Sequence, residues 1–109
     1  MTLAELATAL NSLGMKVAYD HFIVDSNNPA PKPPYLVYLY AYSSDLYADN
    51  INYKNIDNIQ IELYSSKKDL ASEKLIEDKL KELKIPYSKI GAWIATENLY
   101  QMIYDIALI

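Results

Sequence analysis

The side chains best equipped for chemistry open a proline-rich stretch, where Asp20 and His21 adjoin and Asp25 follows close behind. An imidazole beside a carboxylate can relay a proton, and the three together could loosely hold a divalent ion. Yet His21 is the only histidine and the chain has no cysteine, so any triad would rest on one imidazole and no thiolate could complete a metal site. The spacing of the three residues matches no calcium-binding loop. Carboxylate pairs such as Asp45 with Asp49, or Glu77 with Asp78, could do acid–base work only inside a cleft. Gly14 and Gly91 stand apart, so neither a phosphate loop nor a dinucleotide fingerprint is present. The residues therefore argue against an enzyme and imply no cofactor. His21 reads as a loop histidine, and a metal-dependent activity on Asp20, His21 and Asp25 ranks last among the candidate functions.

The elements that would carry these residues follow from composition and periodicity. A chain of 109 residues suits one domain, able to bury roughly 65% of its unfolded surface without a metal or disulfide. Ten lysines, no arginine and fourteen carboxylates give a net charge of −4. Phosphate-backbone affinity comes from clustered Lys and Arg, so specific nucleic-acid binding is disfavoured. The N-terminal residues resemble no signal peptide and no apolar run reaches the roughly 18 residues of a membrane span, so a soluble protein that stays inside the cell is expected. Absence of cysteine fits a reducing cytoplasm. Eleven tyrosines against one phenylalanine supply rings that tolerate both apolar packing and water, as interfaces require; β-propensity alone is the plainer explanation.

Thr2 with Glu5 makes a capping box ahead of Leu3, Leu6, Ala7, Leu10 and Leu13, which predicts a helix ending near Gly14. Met15 to Tyr19 reads as an edge strand. Residues 20–34, with Pro29, Pro31, Pro33 and Pro34, form a long semi-rigid loop of the kind that often carries function. Tyr35 to Tyr42 is a strand with no charge on either alternating face, which implies cover on both sides from this chain or a neighbouring copy. Ile59 to Tyr64 returns antiparallel to it, with Ile59, Ile61 and Leu63 facing inward. Between them, residues 43–58 form a hairpin arm whose acidic tip holds Asp45, Tyr47, Asp49 and Asn50.

A second helix starts at Ser66 or Asp69 and runs to Leu83. Its expected apolar stripe is Leu70, Ala71, Leu75, Ile76, Leu80 and Leu83, opposite a solvated face containing Lys74, Glu77, Asp78, Lys81 and Glu82, with Glu77 paired to Lys81. Tyr87 to Glu97 and Tyr100 to Leu108 complete the sheet. Gly91 should mark a bulge or a close backbone approach, and Trp93 is expected in the core rather than at an interface. The sum is an α+β fold: helix, strands, helix, strands, with four to five mostly antiparallel strands.

The order of certain segments is more specific than any one of them: Val17-Ala18-Tyr19-Asp20-His21-Phe22, the proline loop, Pro33-Pro34-Tyr35-Leu36-Val37-Tyr38-Leu39-Tyr40, the stretch from Asn58 to Asp69, and Glu97 to Asp105. Together they resemble small tail-terminator-like proteins that complete tails and join heads to tails in long-tailed phages and prophages of Gram-positive bacteria. The resemblance implies a ring, sixfold on the assembled tail, that caps the tail tube and meets the head connector. It also implies a place in the host cytoplasm during assembly and in the virion afterwards. Tyr40, Tyr42, Tyr47 and Tyr53 of the arm, with Pro31, Pro33 and Pro34 of the loop, are then the expected contact residues. An acidic, arginine-free ring would let DNA pass without adhering. The competing reading is a prophage-encoded regulatory or inhibitory protein that grips a host protein with the same tyrosine-rich sheet surface.

Overall fold

The computed structural model describes residues 1–27, 29–43, 46–48, 51–54 and 56–108, without the side chains of 46–48 and 51–54. Helix α1 covers Leu3–Asn11. The capping box forms in full: the Thr2 hydroxyl accepts from the Glu5 N–H at 3.1 Å and the Glu5 carboxylate accepts from the Thr2 N–H at 3.0 Å. Helix α2 covers Leu70–Glu82, and its cap is Asp69, which accepts from both the N–H and the hydroxyl of Ser72. At its end the Ile85 N–H reaches Leu80 O and the Lys84 N–H reaches Lys81 O, with Lys84 at φ +59. This pairing places a lysine in the left-handed position that suits glycine. Lys84→Gly should therefore stabilise the protein by about 1 kcal/mol, read as a higher urea midpoint.

The strands are β1 (Lys16–Tyr19), β2 (Tyr35–Ser43), β3 (Leu46–Ala48), β4 (Ile51–Lys54), β5 (Asp57–Ser65), β6 (Tyr87–Ile94) and β7 (Leu99–Leu108). Five form one sheet in the order β1-β2-β5-β7-β6, and β3 pairs with β4 in a separate ribbon. The architecture is α+β, in the order helix, strands, helix, strands. Only β1 and β2 run parallel. A parallel pair cannot be joined by a tight turn and needs a crossover of about a dozen residues, which is the topological reason for the long 20–34 connection.

Period-two alternation gives the sheet a buried face. Ile59, Ile61 and Leu63 of β5 and Met102, Tyr104, Ile106 and Leu108 of β7 join Leu36 of β2 there, packed against Leu6 and Leu10 of α1 and Ile76 and Leu80 of α2. Among the described residues no helix lies on the opposite face. Strand β2 is closed on both sides only at its start, where Leu36 and Val37 are both buried. The second cover comes from the crossover loop: Phe22 meets the Tyr35 ring edge-on at 5.4 Å, and Tyr35 stacks on Tyr64 at 5.2 Å. Two-sided shielding of this strand is thus partly met within one copy, and it ends before Tyr40.

Three expectations need correction. The stripe of α2 is rotated: Ser72, Glu73, Ile76 and Leu80 are buried, whereas Leu70, Ala71 and Leu75 face outward, Leu70 being 70% exposed. The cause is a set of polar partners beneath the helix, which lets carboxylates occupy the inner face. Trp93 is 49% exposed, because β6 is the sheet's last strand and nothing lies beyond it. Gly91 marks no bulge, since β6 and β7 pair in unbroken register. A Cβ there would instead come within 2.7 Å of Tyr100 Oη and 2.9 Å of Met102 Cε, so the glycine makes room for side chains rather than backbone.

Candidate functional site

The end of β2 past the helix layer presents the most exposed aromatic surface near the residues singled out by sequence. Tyr40 is 43% and Tyr42 61% exposed, and a register shift lies between them. The irregularity twists β2 between these rings, and pairing with β5 continues beyond it through Tyr42 with Asn58 and Ser43 with Asp57. Tyr47 sits on β3 and Tyr53 on β4, where the antiparallel backbone pairing is described but the side chains are not. Asp45, Asp49 and Asn50 of the arm's tip lie outside the described residues. Beside Tyr42 an open groove of about 600 Å³ passes along Asn58 and Gln60 to Pro86 and Ser88.

The proline loop contributes a second surface. Pro31 is half-buried and lines two depressions, one shared with Phe22, Tyr35 and Tyr64, the other with Met15, Lys16 and Pro34. Pro33 and Pro34 are exposed and joined by a cis peptide bond. Pro33 and Pro34 immediately precede β2, whereas Tyr40 and Tyr42 lie near its far end, so the predicted contact residues do not form one patch. Asp20 and His21 touch at 2.9 Å through Oδ2 and Nδ1 with both side chains largely in solvent. Asp25 turns back to accept from the Asn27 N–H at 2.8 Å. Among the described residues, no group of three or more His, Asp or Glu gathers around a common point.

A third arrangement was not legible from sequence. Beneath α2, Glu77 accepts from Tyr104 Oη at 2.8 Å, from Tyr87 Oη at 3.0 Å and from Lys89 Nζ at 3.0 Å. One turn earlier the buried Glu73 carboxylate meets Lys68 at 2.8 Å and Lys89 at 3.7 Å. The expected Glu77 to Lys81 pair is replaced by this inward set, while Lys74 to Asp78 forms the surface pair at 2.7 Å. Burial pushes the Glu77 carboxyl upward, but the hydrogen bonds from Lys89, Tyr104 and Tyr87 together hold it below its ordinary value. The Tyr104 hydroxyl is pushed well above its usual range by burial and by the carboxylate it serves. Both effects keep one carboxylate and its donors in fixed protonation states. The cluster ties α2 to β6 and β7.

No protein-family model and no curated protein matches the chain significantly. The residues therefore have to be weighed on their geometry. No helix is long and apolar enough to cross a membrane among the described residues. The two arrangements differ in kind: the Glu77 cluster has its donors satisfied internally, whereas Tyr40 and Tyr42 present rings to solvent.

Proposed function

We propose that this chain is a structural subunit of a phage or prophage virion, of the tail-completion or tail-terminator kind, acting at the head–tail junction through protein contacts. The observation that carries the reading is the exposed aromatic end of β2, where Tyr40 and Tyr42 emerge from the helix-covered sheet and lead into the ribbon that bears Tyr47 and Tyr53. Exposed tyrosines of this kind act as interface anchors, since each ring contributes large apolar area at small entropic cost. Its partners are other copies of itself in a sixfold ring, the tail tube and the head connector. The acidic, arginine-free composition suits a ring through which DNA must pass.

Inactivating the reading frame in the genome that carries it, then inducing particle production, tests the proposal. Electron microscopy should show filled heads and unjoined tails in place of complete virions, with joining restored by the wild-type gene in trans. A normal yield of infectious particles would overturn it, and an altered host phenotype with normal particles would point to the regulatory reading instead.

A further inference from the structure

Strand β6 borders the sheet with all but one of the usual protections missing. Edge strands are commonly kept from pairing by shortness, proline, bulges, a covering segment or charged side chains, lysine above all and inward-pointing ones included. Here the strand is eight residues long, contains no proline and keeps continuous register with β7. The one such device is Lys89, in the middle of the strand, and its charge is balanced on the helix side by Glu77 at 3.0 Å and Glu73 at 3.7 Å. Ile90 is 66% exposed and Trp93 is 49% exposed. The sheet's other border, β1, has four residues, and the proline loop lies beside it around Met15 and Lys16. One border is short and flanked by a loop; the other is long and holds a single, internally paired lysine.

We propose that β6 pairs antiparallel with β6 of a second copy of this chain, joining two five-stranded sheets into one of ten strands about a two-fold axis. Length favours this occupant: among the described residues β6 is the only free edge of eight residues, so head-to-tail pairing with β1 would leave half of it bare. Charge favours it as well. The copies are acidic overall, yet the joining strands carry no carboxylate and one internally paired lysine each.

The register follows from the faces. Keeping both helix layers on one side requires residues of the same face to oppose one another. An axis through Ile90 sets Ile90 against its own copy, Ser88 against Ala92, Lys89 against Gly91 and Tyr87 against Trp93. On the helix-free face Ile90 already pairs with Ile103 across to β7. The axis therefore aligns Ile103 and Ile90 with the partner copy's Ile90 and Ile103 in one apolar row, the arrangement in which cross-strand pairs reinforce one another. Lysine never faces lysine. The pairing is isologous and closes at two copies, so it concerns the free protein and goes beyond the virion role.

Sedimentation equilibrium of the purified chain should give the mass of two copies. Ile90→Lys places two lysines in direct opposition and should halve that mass while leaving the chain folded, with the same circular dichroism spectrum and a melting temperature that, unlike that of the wild type, does not depend on concentration. The cysteine-free background permits a second test that does not depend on that variant folding. Opposed Cα atoms of an antiparallel pair lie about 4.5 to 5.5 Å apart, within disulfide range. Ile90→Cys should thus be trapped as a covalent dimer by diamide, whereas Ser88→Cys should remain largely unlinked. A monomeric wild-type chain at millimolar concentration, a dimer that persists in Ile90→Lys, or equal crosslinking of the two cysteine variants would each overturn the proposal. None of these outcomes bears on whether the chain completes virions, which the gene-inactivation experiment decides separately.

Discussion

Replacing Glu77 with alanine is expected to lower the free energy of unfolding by about 3 kcal/mol, measured by urea denaturation at neutral pH. The carboxylate accepts from three donors, and the one that decides the magnitude is Tyr104, whose side chain is fully buried. Without Glu77 its hydroxyl keeps no acceptor, and an unsatisfied buried hydroxyl costs about 1 to 3 kcal/mol in addition to the lost charge-assisted bond. Lys89 is 41% exposed and regains water, so its share is small. Tyr104→Phe should cost less, because Glu77 retains Tyr87 and Lys89. The double variant should then fall well short of the sum, with a coupling of about 1 kcal/mol or more. Additive losses would show that the hydroxyl and carboxylate act independently. Against a total stability of about 5 to 15 kcal/mol for a domain of this size, the single change removes a large fraction.

The same cluster contributes to the acid limb of stability, beside the capping carboxylates Glu5 and Asp69, whose hydrogen bonds to Thr2 and Ser72 also hold them below the ordinary value. Glu77 is held below its ordinary carboxyl value of 4.5, with burial opposing and the three hydrogen-bond donors prevailing. A group whose folded pKa is depressed contributes fully above its unfolded value and loses that contribution as pH falls through the folded one. Stability should therefore be level near neutrality and decline below about pH 4.5. Glu77→Gln, which cannot titrate, should be less stable at neutral pH but show a shallower decline in acid. Parallel curves for the two proteins would remove Glu77 from the acid response.

The fate of α2 shows what periodicity could and could not reveal. Ile76 and Leu80 face inward as their spacing predicts, and of the two cap candidates, Ser66 and Asp69, the helix uses Asp69; an apolar residue on the core side and a side-chain acceptor before the first turn are local signals. Leu70 and Leu75 were assigned to the same face by hydrophobicity, while the helix turns Glu73 and Glu77 inward. Their partners Lys89, Tyr87 and Tyr104 lie on strands that follow the helix, and no spacing rule connects them. β7 was read correctly because its alternation is unbroken from Tyr100 to Leu108. The exposure of Trp93 cannot be read from its own strand, because the position of a strand within a sheet is a property of topology, not of its residues. The parallel pairing of β1 with β2 is likewise a property of topology, and its one trace in the sequence is the length of the loop between them. As for the contact residues, exposure of Tyr40 and Tyr42 follows from where the helices end, which depends on the packing of the whole core.

Tyr40→Ser combined with Tyr42→Ser is expected to abolish head–tail joining in the complementation assay while leaving the subunit folded. Neither ring belongs to the core cluster, and the Tyr40 contact with Tyr19 uses the backbone N–H at 3.3 Å, which the substitution retains. The thermodynamic change should therefore stay near the half kcal/mol typical of surface positions. Assembly should respond far more strongly, since truncating a buried aromatic anchor costs about 2 kcal/mol or more of binding. That is roughly a thirtyfold loss for each ring, and a closed ring repeats it at every junction. Tyr38→Ser supplies the contrast: that ring packs against the core and meets Tyr19 edge-on at 5.3 Å, so its loss should lower the melting temperature. Defective joining by a chain as stable as wild type locates the contact at this end of β2. Normal joining by the folded double variant would move it to the ribbon of Tyr47 and Tyr53 or to the loop of Pro31, Pro33 and Pro34, where single substitutions would then separate the two.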